Sequence, residues 1–521
     1  MRYVILLSAV TLATLAPTHA PAQADRARAE AALEEFKGFW KNENPFVRKA
    51  AVDELMVVDH LFVTRQLLDC LKDKAPIVVD AATNGLGNQR NKMGVAEMVQ
   101  RLWRGKKRAE RIAIIKAFKV SAPQSAYSAV LDLVDDRDWE IRAQTAELIA
   151  RYPDQEGAGL GAILPLCKDK EALVRLSAMD AINRLENPRG HTAALDGLGD
   201  TDWRVRSAAI RVCRRYRRKS AIQPLINLLK DEKGRLVDDA SAALREICDR
   251  DIPGDFDRWQ TWWDRVKDGY KVPSAAEIAE RKRRENTRRA GYDPPRKSDY
   301  PPYHGIKTRS RRLLFVIDIS SSMAENIVLD HKDQRGVEAF RKRYGDIDQT
   351  KIEIARNELI DMVGGLKSFA KFNIITFNAK TQRWKKKMVK ATSGNKNKAI
   401  KFLARLTPEA VAPTGGGVRR AGAIAGQTNT FEALNSCFGL FKGDEFDKKA
   451  FKTEADTVFF LSDGNPTTGR ITQPLPLLQY VEAVNKRAKL VLHTISFGNA
   501  NKQLMETLAM NSGGQAVRIG N

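Results

Sequence analysis

Seven segments in the first half of this 521-residue chain align without gaps, and no other feature limits its possible folds as strongly. They are NPFVRKAAVDEL, APIVVDAATNGL, KRAERIAIIKAF, DWEIRAQTAELI, EALVRLSAMDAI, DWRVRSAAIRVC and GRLVDDASAALR. One column holds Arg48, Asp80, Arg111, Arg142, Arg175, Arg206 and Asp238, so the steps are 32, 31, 31, 33, 31 and 32 residues. The preceding column is apolar in every copy except the third, which has Glu110. Ala51, Ala82, Ala113, Ala146, Ala178, Ala209 and Ala242 follow within a turn, as closely approaching helices require. Second apolar-periodic runs such as HLFVTRQLLDCL and AIQPLINLLK lie between the copies, so each unit reads as a helix pair. Such a unit hides its apolar face only against a neighbour, which predicts an α-solenoid.

The V-R-x-x-A element at Val47-Arg48, Val174-Arg175 and Val205-Arg206 resembles that of short HEAT-like repeats, and the resemblance covers roughly 31–250. The solenoid is assigned to 25–270. Its column arginines are expected to bond carbonyls and acidic turns such as Asp135-Asp136 and Asp200-Thr201-Asp202 along the stack. Trp259, Trp262 and Trp263 share one helical face and are read as a cap on the open end rather than a ligand platform.

A chain this long exceeds one ordinary core, so further domains are required. Residues 271–311 change character: AEIAERKRRENTRRA suggests a short basic helix and GYDPPRKSDYPPYHG an extended linker. Twelve Lys/Arg stand against three Asp/Glu between Arg281 and Arg312, a large part of the net charge of +24. That balance suggests attraction to nucleic acid, acidic polysaccharide or anionic lipid. Residues 1–24 describe a signal peptide, with a basic start, a short apolar run and the small-x-small triplet Ala22-Gln23-Ala24. The expectation is therefore an exported protein: periplasmic, secreted or at the cell surface. Cys70, Cys167, Cys213, Cys248 and Cys437 form no CxxC pair and read as helix-packing residues, with one disulfide left open.

From 312 to 521 short apolar strands alternate with amphipathic helices, which predicts an α/β doubly wound, Rossmann-like sheet, mostly parallel. TQRWKKKMVKA reads as a lysine-rich antiparallel edge strand. LLFVIDISSSM is a buried strand ending in Asp318, Ser320 and Ser322; Thr428 opens a later helix, and Asp463 follows the strand TVFFLS. In open α/β sheets the carboxyl ends of the strands face the ligand crevice, so these tips fall on one edge. Two carboxylates and three hydroxyls supply most of the six oxygens that a hard divalent cation takes, leaving it electrophilic.

These residues resemble the metal-ion-dependent adhesion site of a von Willebrand factor A domain: D-x-S-x-S at Asp318, Ser320 and Ser322, a threonine at Thr428, and an aspartate in an S-D-G turn at Asp463. The resemblance covers about Leu313 to the C-terminus. It implies that Ser320, Ser322 and Thr428 ligate Mg²⁺ (or Mn²⁺ or Ca²⁺), with the aspartates bound directly or through water. Gly426-Gln427 precede the threonine where the family has two glycines, and Thr430 is a rival ligand, but Thr428 has the family spacing to Ala433-Leu434. An insertion, AENIVLDHKDQRGVEAFRKRYGDIDQT, and the stretch GGGVRRAGAIAG are read as loops on the metal face that select a partner.

The sequence thus predicts a non-enzymatic adhesion or scaffolding protein. It would grip an acidic residue of a protein partner through the metal and offer the repeat array to a second partner. No small-molecule substrate is expected and no catalytic residue is assigned, since no nucleophile motif or positioned histidine base appears. The alternative is polyanion binding through the linker, with the A domain a passive fold.

Overall fold

The computed structural model describes residues 20–105, 107–154, 157–252, 254–286, 300–329, 334–345, 349–407, 427–439, 453–498 and 502–520. The signal segment lies outside these except for residues 20–24, which open the helix Ala20–Trp40. Among the described residues no helix is long and apolar enough to cross a membrane. The chain divides into two compact units, 1–166 and 167–521. The sequence places a boundary after 270 instead. The difference arises because repeats five to seven are bonded to the sheet domain, as described below.

In the first unit the repeats are helix pairs: Pro45–Leu55 with Leu61–Cys70, Pro76–Asn88 with Lys92–Arg104, Arg108–Ser121 with Tyr127–Leu131, and Trp139–Ile149 with Ala158–Ile163. Prolines at the first helical position and side-chain caps from Asn44, Asn91 and Asp138 set several starts. Ala51, Ala82, Ala113 and Ala146 are buried between neighbouring helices. At Gly85 an added Cβ would stand 2.9 Å from Cβ of Met56, so this crossing admits no side chain. Arg48 donates to Asp73 at 2.8 and 2.9 Å and to the carbonyls of Asn42 and Glu43. Arg111 reaches Leu102 O and Asp136, and Arg142 the carbonyls of Asp136 and Arg137. The column arginines therefore tie each helix start to an acidic turn, as the pattern predicts.

In the second unit the same device recurs: Arg175 meets Asp200 at 2.7 and 2.8 Å, and Arg206 meets Glu232 at 2.6 Å. The helix Phe256–Val266 closes this array with Trp259 and Trp263 buried, and Tyr270 stands edge-on to Trp262 and Trp263. All five cysteines are free thiols, four of them buried. The basic segment forms a helix at Ala275–Asn286.

The sheet has the order β3-β2-β1-β5-β6-β7. Its strands are β1 Arg312–Asp318, β2 Lys371–Phe377, β3 Thr381–Arg383, β4 Val389–Lys390, β5 Thr457–Ser462, β6 Val491–Phe497 and β7 Ala516–Ile519. β1, β2, β5, β6 and β7 are parallel, while β3 and β4 pair antiparallel with β2, so the lysine-rich edge is real but broken in two. Helices Lys351–Gly365 and Ser393–Leu403 cover one face, and Thr430–Cys437, Pro474–Ala488 and Lys502–Ser512 the other. Residues 300–311 are not a spacer. Tyr300, Tyr303 and Ile306 belong to the core of this domain, and Tyr303 packs edge-on against Phe315 and Phe459.

Repeats five to seven meet the sheet at the amino ends of its strands. Arg204 donates to Thr453 O at 2.8 Å, and Arg235 to the carbonyls of Asp456 and Lys489. Lys489, only 6 % exposed, pairs with Asp180 at 2.7 and 3.0 Å. The guanidiniums of Arg204, Arg235 and Arg312 surround the Trp203 ring at 4.8, 5.6 and 4.8 Å from its centre. These contacts fall at residues that precede β5 and β6 and at the first residue of β1.

Candidate functional site

The chain leaves β1 to form β2 on one side and later returns as β5 on the other. The crevice between the carboxyl ends of β1 and β5 is therefore the switch point of the sheet, where such folds bind ligands. Asp318 is the last residue of β1, and Asp463 directly follows β5. Thr428 lies just before the helix Thr430–Cys437, and the next residue, Asn429, donates its backbone N–H to Asn378 O at the end of β2.

The five predicted residues come together. Asp318 is fully buried; its Oδ1 accepts the Ser320 N–H at 2.9 Å and its Oδ2 the Ser462 hydroxyl at 2.6 Å. Ser320 Oγ stands 3.1 Å from Ser322 Oγ, which donates to Asp463 Oδ1 at 2.8 Å. Thr428 is joined to the Asp463 loop through Thr467: its N–H donates to Thr467 Oγ1 at 2.7 Å and its carbonyl accepts the Thr467 N–H at 3.0 Å. A Cβ on Gly464 would lie 3.5 Å from Thr428 Oγ1, which places that hydroxyl beside the S-D-G turn. The rival, Thr430, is buried at the first helical position with a hydroxyl that has no partner.

Burial pushes the Asp318 carboxyl up to about 6 against the hydrogen bonds from Ser462 and Ser320, and the nearby Asp463 charge adds to the rise. A buried carboxylate so reluctant to ionise gains from a cation placed beside it. The donor set consists of oxygens, with two carboxylates and a run of hydroxyls, and suits a hard divalent ion. Among the described residues no group of three His, Cys, Asp or Glu could hold a metal, so the hydroxyls would have to complete the set.

Lys351 is one residue sequence reasoning missed, beside Ser462 and Thr467. Its ammonium reaches Asp463 Oδ2 at 2.8 Å, Glu325 Oε2 at 2.7 Å and Ser322 O at 3.3 Å. Burial pulls its proton affinity down, but Asp463 and Glu325 outweigh that and the net shift is upward. Lys351 is held in place as the first residue of a helix capped by Thr350 and Glu353, with its own N–H donating to Glu325 O. A cation at a helix start opposes the macrodipole, and that anomaly was the available signal. A tethered cation on Asp463 competes with any metal there. Replacing it by Lys351→Met is expected to tighten Mn²⁺ binding about tenfold in a calorimetric titration; unchanged affinity would show that the ammonium stands outside the site.

The insertion is described in part. Glu325 reaches the site, and the helix Gln334–Tyr344 buries Phe340 in the core, with Arg343 at 3.3 Å from Glu358 and Tyr344 at 3.2 Å from His304. The stretch GGGVRRAGAIAG lies outside the described residues, as do residues 287–299 of the basic linker. His493 is buried in β6, where its Nδ1 accepts the Gln515 N–H at 3.0 Å.

With this geometry the sheet domain is of the von Willebrand factor A class, and residues 345–518 match the model of the von Willebrand factor type A domain. The chain is similar to inter-alpha-trypsin inhibitor heavy chain 4 of Mus musculus, 25% identical over 215 residues, which are 41% of this chain and 18% of that protein. Heavy chain H1 of Mesocricetus auratus is 26% identical over 221 residues, 41% of this chain and 19% of its own. The chain thus spans under a fifth of the length of these relatives. A designed armadillo repeat protein aligns with 35% of this chain and 98% of its own, at 14% identity and a TM-score of 0.24. At that distance the helical-repeat assignment rests on the period and the packing above. A von Willebrand factor A domain is a protein-interaction module, and that coarse role accompanies the fold.

Proposed function

We propose that this chain is an exported, non-enzymatic docking protein whose A domain holds Mg²⁺, or Mn²⁺ or Ca²⁺, and captures an acidic side chain of a partner protein. The observation that supports it is the unbroken run from Asp318 through Ser320 and Ser322 to Asp463 at the switch point, with the Thr428 hydroxyl beside it. Ser320, Ser322 and Thr428 would hold the metal, with Asp318 and Asp463 balancing its charge. The bound ion supplies an electrophilic position that attracts a carboxylate. The residues around it orient and shield: Ser462 fixes the Asp318 carboxylate, and Thr467 fixes the Thr428 segment. The helical repeats are a second interaction surface.

The test is capture from the exported fraction by the full chain. Partners are expected to bind in Mg²⁺, to elute with EDTA and to be missing from an Asp318→Asn column. Binding that ignores both changes would reject the metal as the grip.

A further inference from the structure

Residues 380–407 carry ten Lys/Arg and no Asp or Glu. They fold into one wing of the A domain: the antiparallel edge formed by β3 and β4, followed by the helix Ser393–Leu403. The structure separates these cations into two sets. Arg383 donates to Ser436 O, Lys396 to the carbonyls of Gly364 and Leu366, and Lys385 lies 5.1 Å over the Trp384 ring. Those three serve the fold. Lys380, Lys386, Lys387, Lys390, Lys398, Lys401 and Arg405 are exposed, and none has an acidic partner among the described residues.

Protection of a sheet edge accounts for lysines on β3 and β4. It does not account for Lys398, Lys401 and Arg405, which follow one another at helical spacing on the flanking helix and its end. The register runs from Ile375↔Arg383 down to Lys371↔Lys390, so the charges extend along the whole height of the edge. Where the edge meets the amino end of β2, Phe369 is 45 % exposed between Lys367 and Lys371, and Ala391 N–H donates to Ala370 O beside it.

We propose that this wing binds the surface of an anionic lipid bilayer. All but one of the unpartnered cations are lysines, compact charges that suit a disordered headgroup layer rather than the bidentate grip of arginine on one fixed anion. A base or sugar would need a free ring face to stack on, and here Trp384 is stacked on Phe372 at 5.5 Å, Phe402 is packed against the core, and the Arg311 guanidinium lies 4.1 Å from the centre of the Phe369 ring. Phe369 is an exposed apolar ring set among lysines, suited to the headgroup boundary. The site is independent of the metal residues, so failure of one reading leaves the other intact.

The experiment is sedimentation of the full chain with vesicles of phosphatidylcholine alone or mixed with phosphatidylglycerol, in EDTA. Binding is expected only to the mixed vesicles and should fall steeply with salt. The triple variants Lys386→Gln/Lys387→Gln/Lys390→Gln and Lys398→Gln/Lys401→Gln/Arg405→Gln should each weaken it by about a hundredfold, at roughly fivefold per charge lost. The corresponding Lys→Arg variants should bind like the wild type, which controls for folding. Three outcomes would overturn the proposal. The first is undiminished binding by the combined six-site Gln variant, which would assign the attraction to the linker. The second is no vesicle binding by the wild type, and the third is capture of heparin or DNA in its place.

Discussion

Asp318→Asn is expected to abolish divalent-metal binding and, at the same time, to make the metal-free protein more stable. The amide preserves the local bonding: its oxygen accepts the Ser320 N–H and its nitrogen donates to Ser462, in the places now held by Oδ1 and Oδ2. What it removes is a charge at a fully buried position whose carboxyl is pushed up to about 6 by burial. At pH 7 ionising that group in the folded state costs up to about 3 kcal/mol relative to the unfolded chain, and the amide avoids this. Metal affinity should fall by more than the roughly 10–100-fold that even outer-shell changes produce. Calorimetric Mn²⁺ titration and a thermal scan in EDTA measure the two effects. Metal binding at wild-type strength would move the site elsewhere. A lower melting point in EDTA would make Asp318 a structural residue and not one kept for binding at the expense of stability.

Arg235→Ala is expected to uncouple repeats five to seven from the sheet domain, so that unfolding of the second unit splits into two steps. Arg235 is 12% exposed along its side chain and donates to the carbonyls of Asp456 and Lys489, which precede β5 and β6. Leaving both without a charged donor costs about 2–4 kcal/mol. The same junction carries a pH dependence through Lys489. Burial, helped by the Arg211 and Arg235 charges, lowers its ammonium to about 7 in spite of Asp180. Between that value and the ordinary lysine range near 10 the unfolded chain binds a proton that the folded one lacks. Stability contributed by this group therefore rises from about pH 7 towards pH 10 and is flat below pH 7. Lys489→Met should remove the rise. Urea titrations followed by tryptophan fluorescence at several pH values check both; one unshifted transition in Arg235→Ala would show that the two parts do not depend on this contact.

The helical repeats and the alternating strands were legible because each repeats a period that a chain of side chains displays directly. D-x-S-x-S was legible because Asp318, Ser320 and Ser322 sit within five residues of one another. The roles of Ser462 and Thr467 escaped notice because ordinary serines and threonines gain them only when the sheet brings β5 beside β1. Lys351 is further still from the motif in sequence, and its reach to Asp463 depends on the helix start being pinned to Glu325. The proline- and tyrosine-rich stretch reads as a spacer by composition, yet Tyr300 and Tyr303 are core residues, because the faces of aromatic rings can be buried wherever the backbone passes. The unit boundary was hidden for a related reason. It is set by contacts such as Lys489 with Asp180, which no local pattern announces.

The repeats of the second unit hold the sheet at the amino ends of β5 and β6, while the Asp318 and Asp463 cluster sits at the carboxyl ends of β1 and β5. A pull between something gripped at the cluster and something bound to those repeats would therefore run lengthwise along the strands. The paired strands β1 and β5, in register from Leu313↔Thr457 to Ile317↔Leu461, lie along the direction of such a pull.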